Sequence, residues 1–229
     1  MKNVIKSDTK AAVLIGSDPK MVNLCMELGI KLGFGDISVG QLCEHNGISV
    51  DLFVSFCKLM SSPSFIPDTT MLDDNDIAVI LRFLERFHSE YRQSALPQLH
   101  ANVHKIAEQC PREIKIVVNS FFDDFDAEMT RHMENEEKGQ FSYIKGLLAG
   151  SVREGESLDS FIDLHDDVEV KLEDFKNILL KYVPENCDIA ERYIAIIQAM
   201  HIADALHFHT KVEDRLLYPL ASELEKRIR

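Results

Sequence analysis

The sequence lacks the features that mark membrane, secreted and disulfide-rich proteins. The 229 residues contain no apolar run long enough to cross a bilayer, and the first residues lack the apolar core of a signal peptide. The five cysteines form no CxxC pair and are odd in number, which argues against a zinc ribbon and against a disulfide framework. These absences predict a cytoplasmic protein with no membrane partner.

Positive charge is also scarce. The chain has 25 lysine and arginine residues against 38 aspartate and glutamate residues, which gives a formal net charge of -13. Because such a surface repels a phosphate backbone, we expect no nucleic-acid partner. Hydrophobic residues make up 45% of the chain and charged residues 28%, a balance typical of a globular protein with a buried core.

Strand-like alternation is absent, and the apolar spacing that remains is helical. Apolar residues recur every three or four positions in four long segments, roughly 75–108, 112–148, 157–182 and 187–227. The breaks between these segments contain Pro111, Gly150, Gly155 and Pro184. Four long helices with short connections predict an all-α fold, an antiparallel four-helix bundle.

A change of composition divides the chain. The segment "SSPSFIPDTTMLDDND", residues 61–76, is rich in serine, proline, threonine and aspartate and reads as a linker. Before it, short helical patterns are interrupted by glycine. We therefore predict a small helical domain over residues 1–72 and the bundle over residues 73–229.

The bundle sequence repeats itself. His88 and His132 are 44 residues apart, as are His165 and His209, and the two pairs are offset by 77 residues. The second histidine of each pair is followed four residues later by a glutamate. A duplicated helical hairpin explains this spacing. The six residues concerned are His88, His132, Glu136, His165, His209 and Glu213.

The spacing also predicts that the histidines share one layer of the bundle. The midpoints between successive histidines fall at Cys110, at Leu148 and Ala149, and at Cys187, in or next to predicted turns. Antiparallel helices place residues at equal depth when they lie equally far from the turn, at about 1.5 Å per residue. Each glutamate lies at i+4, on the same helix face as its histidine.

A layer of this kind predicts a metal centre. Two buried glutamates would repel each other unless protons or cations compensated them. Four imidazoles and two carboxylates suit iron, manganese or zinc, and their number suggests two ions with both glutamates bridging.

A ferritin-like site built on Glu85-x-x-His88 is an alternative interpretation, although no second Glu-x-x-His exists in the sequence. A polar layer that only specifies the bundle is another. The remaining histidines, His45, His100, His104, His201 and His207, are not expected to bind metal. We expect Glu134, Glu137 and Asp214 to face solvent or to surround the ligands.

Two stretches of the sequence, "HMENEEKGQF" and "HTKVEDRLLYP", resemble the signature helices of hemerythrin-like domains. The resemblance covers about residues 75–229. One histidine on the first and third helices, with His-x-x-x-Glu on the second and fourth, is similar to the repair-of-iron-centres (YtfE/ScdA) group. This resemblance implies an oxo-bridged pair of iron ions. It also implies that the histidines are terminal ligands and the glutamates bridging ligands, namely His88, His132, His165 and His209 with Glu136 and Glu213.

The N-terminal stretch "LCMELGIKLGFGDISVGQLCEHNGIS" is similar to the small ScdA-N-like domain of the same group. Typical members carry adjacent cysteines after the "GI" dipeptide, where this chain has Gly33 and Phe34. We therefore expect this module to pack, or to form a homodimer, without doing thiol chemistry.

The resemblance implies a function in repairing iron-sulfur clusters damaged by nitric oxide or oxidants. It allows two mechanisms, iron donation to client iron-sulfur proteins and reduction of nitric oxide at a His4Glu2 centre. The alternative is a module that binds or senses oxygen or nitric oxide without turnover, so enzyme activity is left open.

Overall fold

The computed structural model describes residues 5–62, 64–152, 155–161, 166–185 and 187–229. Within these residues the regular structure is helical, apart from an isolated β-bridge between Lys10 and Ser38. None of the described helices combines the length and apolar character that a membrane span requires. The predicted all-α class is confirmed.

Four short helices come first. They are α1 (Ala11–Ile15), α2 (Pro19–Glu27), α3 (Val39–Asn46) and α4 (Val50–Ser61). Their ends follow local capping rules: the Ser38 hydroxyl accepts from the backbone N–H of Gln41, whose side chain accepts in return from the backbone N–H of Ser38. Gly47 ends α3 at a φ of 63°, a left-handed conformation that glycine adopts without strain.

Four long helical runs follow, as the apolar spacing predicts. The helices are α5 (Asp74–Glu90), α6 (Leu96–Glu108), α7 (Arg112–Glu136), α8 (Ser142–Leu148), α9 (Asp166–Lys181), α10 (Ile189–Val212) and α11 (Tyr218–Ile228). The third run differs from the prediction, because the described residues 157–161 are not α-helical. Before α9, Gly155 has a φ of 81° and Leu158–Phe161 forms a 3-10 turn. No helix lies between Ser61 and Asp74 among the described residues, but the domain boundary at residue 72 stays a prediction.

Three of the runs contain a π-helical segment that the sequence pattern does not predict. These segments are Tyr91–Ala95, Glu137–Phe141 and Glu213–Leu217. Pro97 and Pro219 follow the first and the third; because proline has no backbone N–H, it cannot donate to the preceding turn, and a wider turn accommodates it. In the second, a Cβ on Gly139 would lie 3.2 Å from the ring of Phe161, so the glycine permits this close packing.

The chain divides into two compact units. The first comprises Met1–Phe87, Ile144–Glu154 and Lys211–Arg229, and the second comprises His88–Tyr143 and Gly155–Thr210. In the first unit, α4 packs its aromatic face against α5, with the rings of Phe56 and Phe83 4.9 Å apart. Arg215 donates a hydrogen bond of 2.7 Å to the carbonyl of Phe65.

The second unit has a core of aromatic side chains from α7 and α9. The ring of Phe175 lies 5.4 Å from that of Phe122 and 6.5 Å from that of Phe125, and all three side chains are buried. Helix α7 packs against α6 on one side and against α9 on another. This core fixes the depth and rotation of α7, which carries two of the predicted ligands.

Candidate metal centre

Three buried side chains of the second unit bring nitrogen and oxygen donors together. His88 on α5, Glu136 on α7 and His209 on α10 each offer one donor atom, and these atoms lie within 4.8 Å of one another. Their relative exposures are 0%, 1% and 1%. Residues from distant parts of the chain therefore meet at one buried point, as the equal spacing of the histidines predicts.

The carboxylate of Glu136 is the centre of this group. Its Oε2 lies 3.1 Å from His88 Nε2 and 3.6 Å from His209 Nε2. Its Oε1 lies 2.8 Å from the Nε2 of His132, one turn earlier on α7. The two oxygens thus face different imidazoles. Three of the predicted histidine ligands therefore each lie next to the carboxylate of Glu136.

The ionisation of Glu136 follows from these contacts. Burial alone raises the pKa of a carboxyl group, because it disfavours the charged form. Hydrogen bonds to His132, His209 and His88 outweigh this effect and hold the pKa of Glu136 well below its usual range. The side chain is therefore an anion in a buried site, the state in which a carboxylate binds a cation.

Aromatic packing fixes the ring of His88. Its imidazole stacks on that of His209, with centroids 4.9 Å apart, and on the ring of Phe141, with centroids 5.5 Å apart. Phe141 is fully buried at the end of the π-helical segment that follows Glu136. Because one face of His88 meets a second imidazole and another meets an apolar ring, rotation of the side chain is restricted.

A second carboxylate controls the far nitrogen of His88. Its Nδ1 lies 2.9 Å from Oε1 of Glu137, and the same oxygen accepts a hydrogen bond of 2.6 Å from Nη2 of Arg92. With Nδ1 protonated against Glu137, a cation that displaced the proton on Nε2 would meet the Nε2 lone pair on the side that faces Glu136. The sequence suggested that Glu137 faces solvent or the surroundings of the ligands. The structure places it in contact with a predicted ligand, with the side chain 28% exposed.

Of the two remaining predicted ligands, only Glu213 is among the described residues. Glu213 is buried, with 0% exposure, and lies at the start of a π-helical segment four residues after His209. It belongs to the first compact unit. His165 lies outside the described residues. The assignment of all six side chains as ligands stays a prediction. The other histidines are exposed: His45, His100, His104, His201 and His207.

Comparison with known families identifies the bundle. The model of the Hemerythrin HHE cation binding domain matches residues 79–221, which are 143 of the 229 residues. The chain belongs to the hemerythrin family. No curated protein matched the chain. The matched region of this hemerythrin-family chain contains the three donors that meet at one buried point, together with His132.

The donors present fit a cation of the kind this family binds. Imidazole nitrogen and carboxylate oxygen suit iron, manganese and zinc, whereas a soft-metal site would require thiolate. Among the described residues, the cysteines do not join this cluster. The ionised state of Glu136 and the contact between Glu137 and Nδ1 of His88 both suit a site that binds a positive ion.

We expect the Glu137→Gln variant to weaken metal binding by roughly 10- to 100-fold, because a neutral amide holds the Nδ1 proton of His88 less firmly. The measurement is the apparent iron affinity of the full-length chain in competition with a chelator. Glu134→Gln is the matched control, since Glu134 is on the same helix, is half-exposed and pairs with Lys138. Equal affinities for the two variants would contradict a role for Glu137.

Proposed function

We propose that the chain is a non-haem di-iron protein in which His88, His132, Glu136, His165, His209 and Glu213 hold two iron ions. The observation that carries this proposal is the ionised, buried Glu136, which faces three imidazoles from three helices. Membership of a cation-binding family supports it. Iron is preferred over manganese or zinc because the ligand pattern resembles that of the iron-binding members.

The bound iron would supply electrons and an electrophilic centre for nitric oxide or oxygen. The protein contributes the rest. Glu136 places a negative charge where bulk water does not reach, and Phe141 packs an apolar wall against His88. Arg92 and Glu137 hold the His88 ring in one orientation. Six side chains do not fill the coordination of two iron ions, which leaves room for a small ligand.

Space for such a ligand exists in the second unit. A cavity of about 390 Å³ is lined by Arg92, Leu96, Pro97, His100, Asp126 and Thr130. Arg92 is therefore shared between this cavity and the contact with Glu137 that orients His88. A molecule as small as nitric oxide or oxygen would fit beside it. We propose this cavity as the approach to the metal centre.

The biological role that we propose is the repair of iron-sulfur clusters under nitrosative or oxidative stress, by iron donation or by nitric oxide reduction. The support is the ligand pattern: a single histidine on the first helix and a His-x-x-x-Glu on the second, as in the repair-of-iron-centres group. The clients would be iron-sulfur proteins.

A second candidate function is binding or sensing of oxygen or nitric oxide without turnover. The segment between α2 and α3 favours it, because the position of the repair group's cysteine pair is occupied here by Gly33 and Phe34. Gly33 has a φ of 90°, a conformation in which a cysteine side chain would be strained. Any thiol-dependent step that relies on that pair is therefore closed to this chain.

We expect about two iron ions per chain after anaerobic reconstitution. Replacing Glu136 by Gln removes the charge that balances the cations, so this variant should lose most of its iron, and His165→Ala should also lower the iron content. The measurements are elemental analysis and Mössbauer spectroscopy. His104→Ala is the matched control, because His104 is an exposed histidine on α6. Unchanged iron content in the Glu136→Gln variant would contradict the proposed site.

One anaerobic assay distinguishes nitric oxide reduction from binding or sensing without turnover. The reduced protein is exposed to nitric oxide in the presence of an excess of chemical reductant, and nitrous oxide is quantified. Nitric oxide reduction requires two electrons per nitrous oxide formed, so an enzyme should release more than one nitrous oxide per di-iron site. Nitric oxide uptake without nitrous oxide would favour binding or sensing. Activation of an apo iron-sulfur protein by the loaded chain would support iron donation.

A further inference from the structure

The duplication that relates the histidines also relates two cysteines. Cys110 and Cys187 are 77 residues apart, the same offset that separates His88 from His165. Cys110 lies between α6 and α7, and Cys187 lies between α9 and α10. Their sulfur atoms are 3.6 Å apart. Corresponding turns of the two hairpins therefore present their thiols to each other in the second unit.

The two turns are held together by contacts that do not involve sulfur. The backbone N–H of Asp188 donates a hydrogen bond of 2.6 Å to the side-chain carbonyl of Gln109. Farther along the helices, the side-chain amide of Asn102 donates to that of Gln198 at 2.8 Å. The proximity of the thiols is consequently a feature of the packed helices.

We propose that Cys110 and Cys187 are a redox-active pair that forms a reversible intramolecular disulfide with a low-molecular-weight disulfide as the oxidant. The Cys110 thiolate attacks the small disulfide, forms a mixed disulfide and releases one small thiolate. Cys187 then loses its proton, attacks the Cys110 sulfur and displaces the second. Two protein thiols are oxidised to one disulfide, and the oxidant is reduced to two thiols.

The geometry suits this sequence of steps. A disulfide bond measures about 2.0 Å, so the sulfur atoms must approach by roughly 1.6 Å from their separation of 3.6 Å. Side-chain rotation can supply much of this movement. Cys110 is partly exposed and is the thiol that a dissolved oxidant can reach, whereas Cys187 is only 2% exposed and is placed to resolve the mixed disulfide.

The reaction is expected to be slow. Burial, followed by the neighbouring Cys187 thiol, raises the pKa of Cys110 to about 11, and Arg192 acts in the opposite direction. Because the thiolate is the attacking species, and only a small fraction of Cys110 is ionised at neutral pH at any moment, the rate of attack is low. The pair would therefore respond to sustained oxidation rather than to a brief pulse.

The remaining cysteines are poor competitors for the oxidant. Cys25, Cys43 and Cys57 are each 1% exposed and belong to the first compact unit. Burial is the largest factor raising the pKa of each, to about 11 for Cys25 and about 12 for the other two. None of these three cysteines is accessible from the surface as Cys110 is, which makes Cys25 a suitable control position.

The bond would close a loop of 77 residues that spans the duplication. A loop of this length restricts the unfolded chain strongly, so the oxidised protein should be the more stable form. This inference does not depend on the metal centre, because neither thiol belongs to the donor cluster.

The test is to incubate the full-length chain with oxidised glutathione and to count thiols after denaturation. The wild type, with five cysteines, should retain three thiols and lose the mass of two hydrogen atoms. Peptide mapping should locate the bond at Cys110 and Cys187. The melting temperature should rise by roughly 10 °C on oxidation and return on reduction with dithiothreitol.

Variants make the result specific. Cys187→Ala should trap Cys110 as a mixed disulfide with glutathione, whereas Cys110→Ser should retain all its thiols and show no shift in melting temperature. Cys25→Ala should behave as the wild type, losing two thiols and gaining stability. Retention of all five thiols by the wild type, a bond between other cysteines, or an equal loss of thiols in Cys110→Ser would each overturn the proposal.

Discussion

The second compact unit is organised around one buried negative charge. An isolated carboxylate at 1% exposure would be far more costly than any neutral side chain of similar size, so its neighbours must stabilise it. Glu136 obtains this stabilisation from His88, His132 and His209, which reach it from three helices. Each of these helices must therefore hold its depth and rotation to within a fraction of a turn. For α7, the aromatic core that it forms with α9 supplies that rigidity.

The spacing of the histidines is sufficient to predict much of this arrangement. A helix converts residue number into depth at a constant rate, so equal distances from the turns place His88, His132 and His209 at one level without any knowledge of packing. The i+4 rule adds Glu136. Hydrophobic periodicity predicts the long helical runs because one face of each helix must be buried against the core.

Other features depend on interactions that spacing does not encode. The π-helical segments occur where a proline interrupts backbone hydrogen bonding or where a glycine allows close packing. A helix can also accommodate a proline or a glycine by a kink or by ending, so neither residue alone predicts a π-helical segment. The contact of Glu137 with His88 depends on the direction of a side chain next to a ligand, and on Arg92, which is 45 residues away. Residues adjacent to an i+4 pair point in different directions, so the sequence left both solvent and the site open for Glu137. The motif "HMENEE" gives the only sequence signal, a second acid directly after the ligand.

Arg92 also determines which charge a metal ion would meet. Without the guanidinium, Glu137 would add a second uncompensated negative charge close to His88. The ion pair at 2.6 Å offsets the charge of Glu137, whose Oε1 also accepts a hydrogen bond from Nδ1–H of His88. Beside His88, the negative charge that remains is then that of Glu136. The arrangement separates two tasks between adjacent acids: Glu137 sets the proton position on the imidazole, and Glu136 attracts the cation.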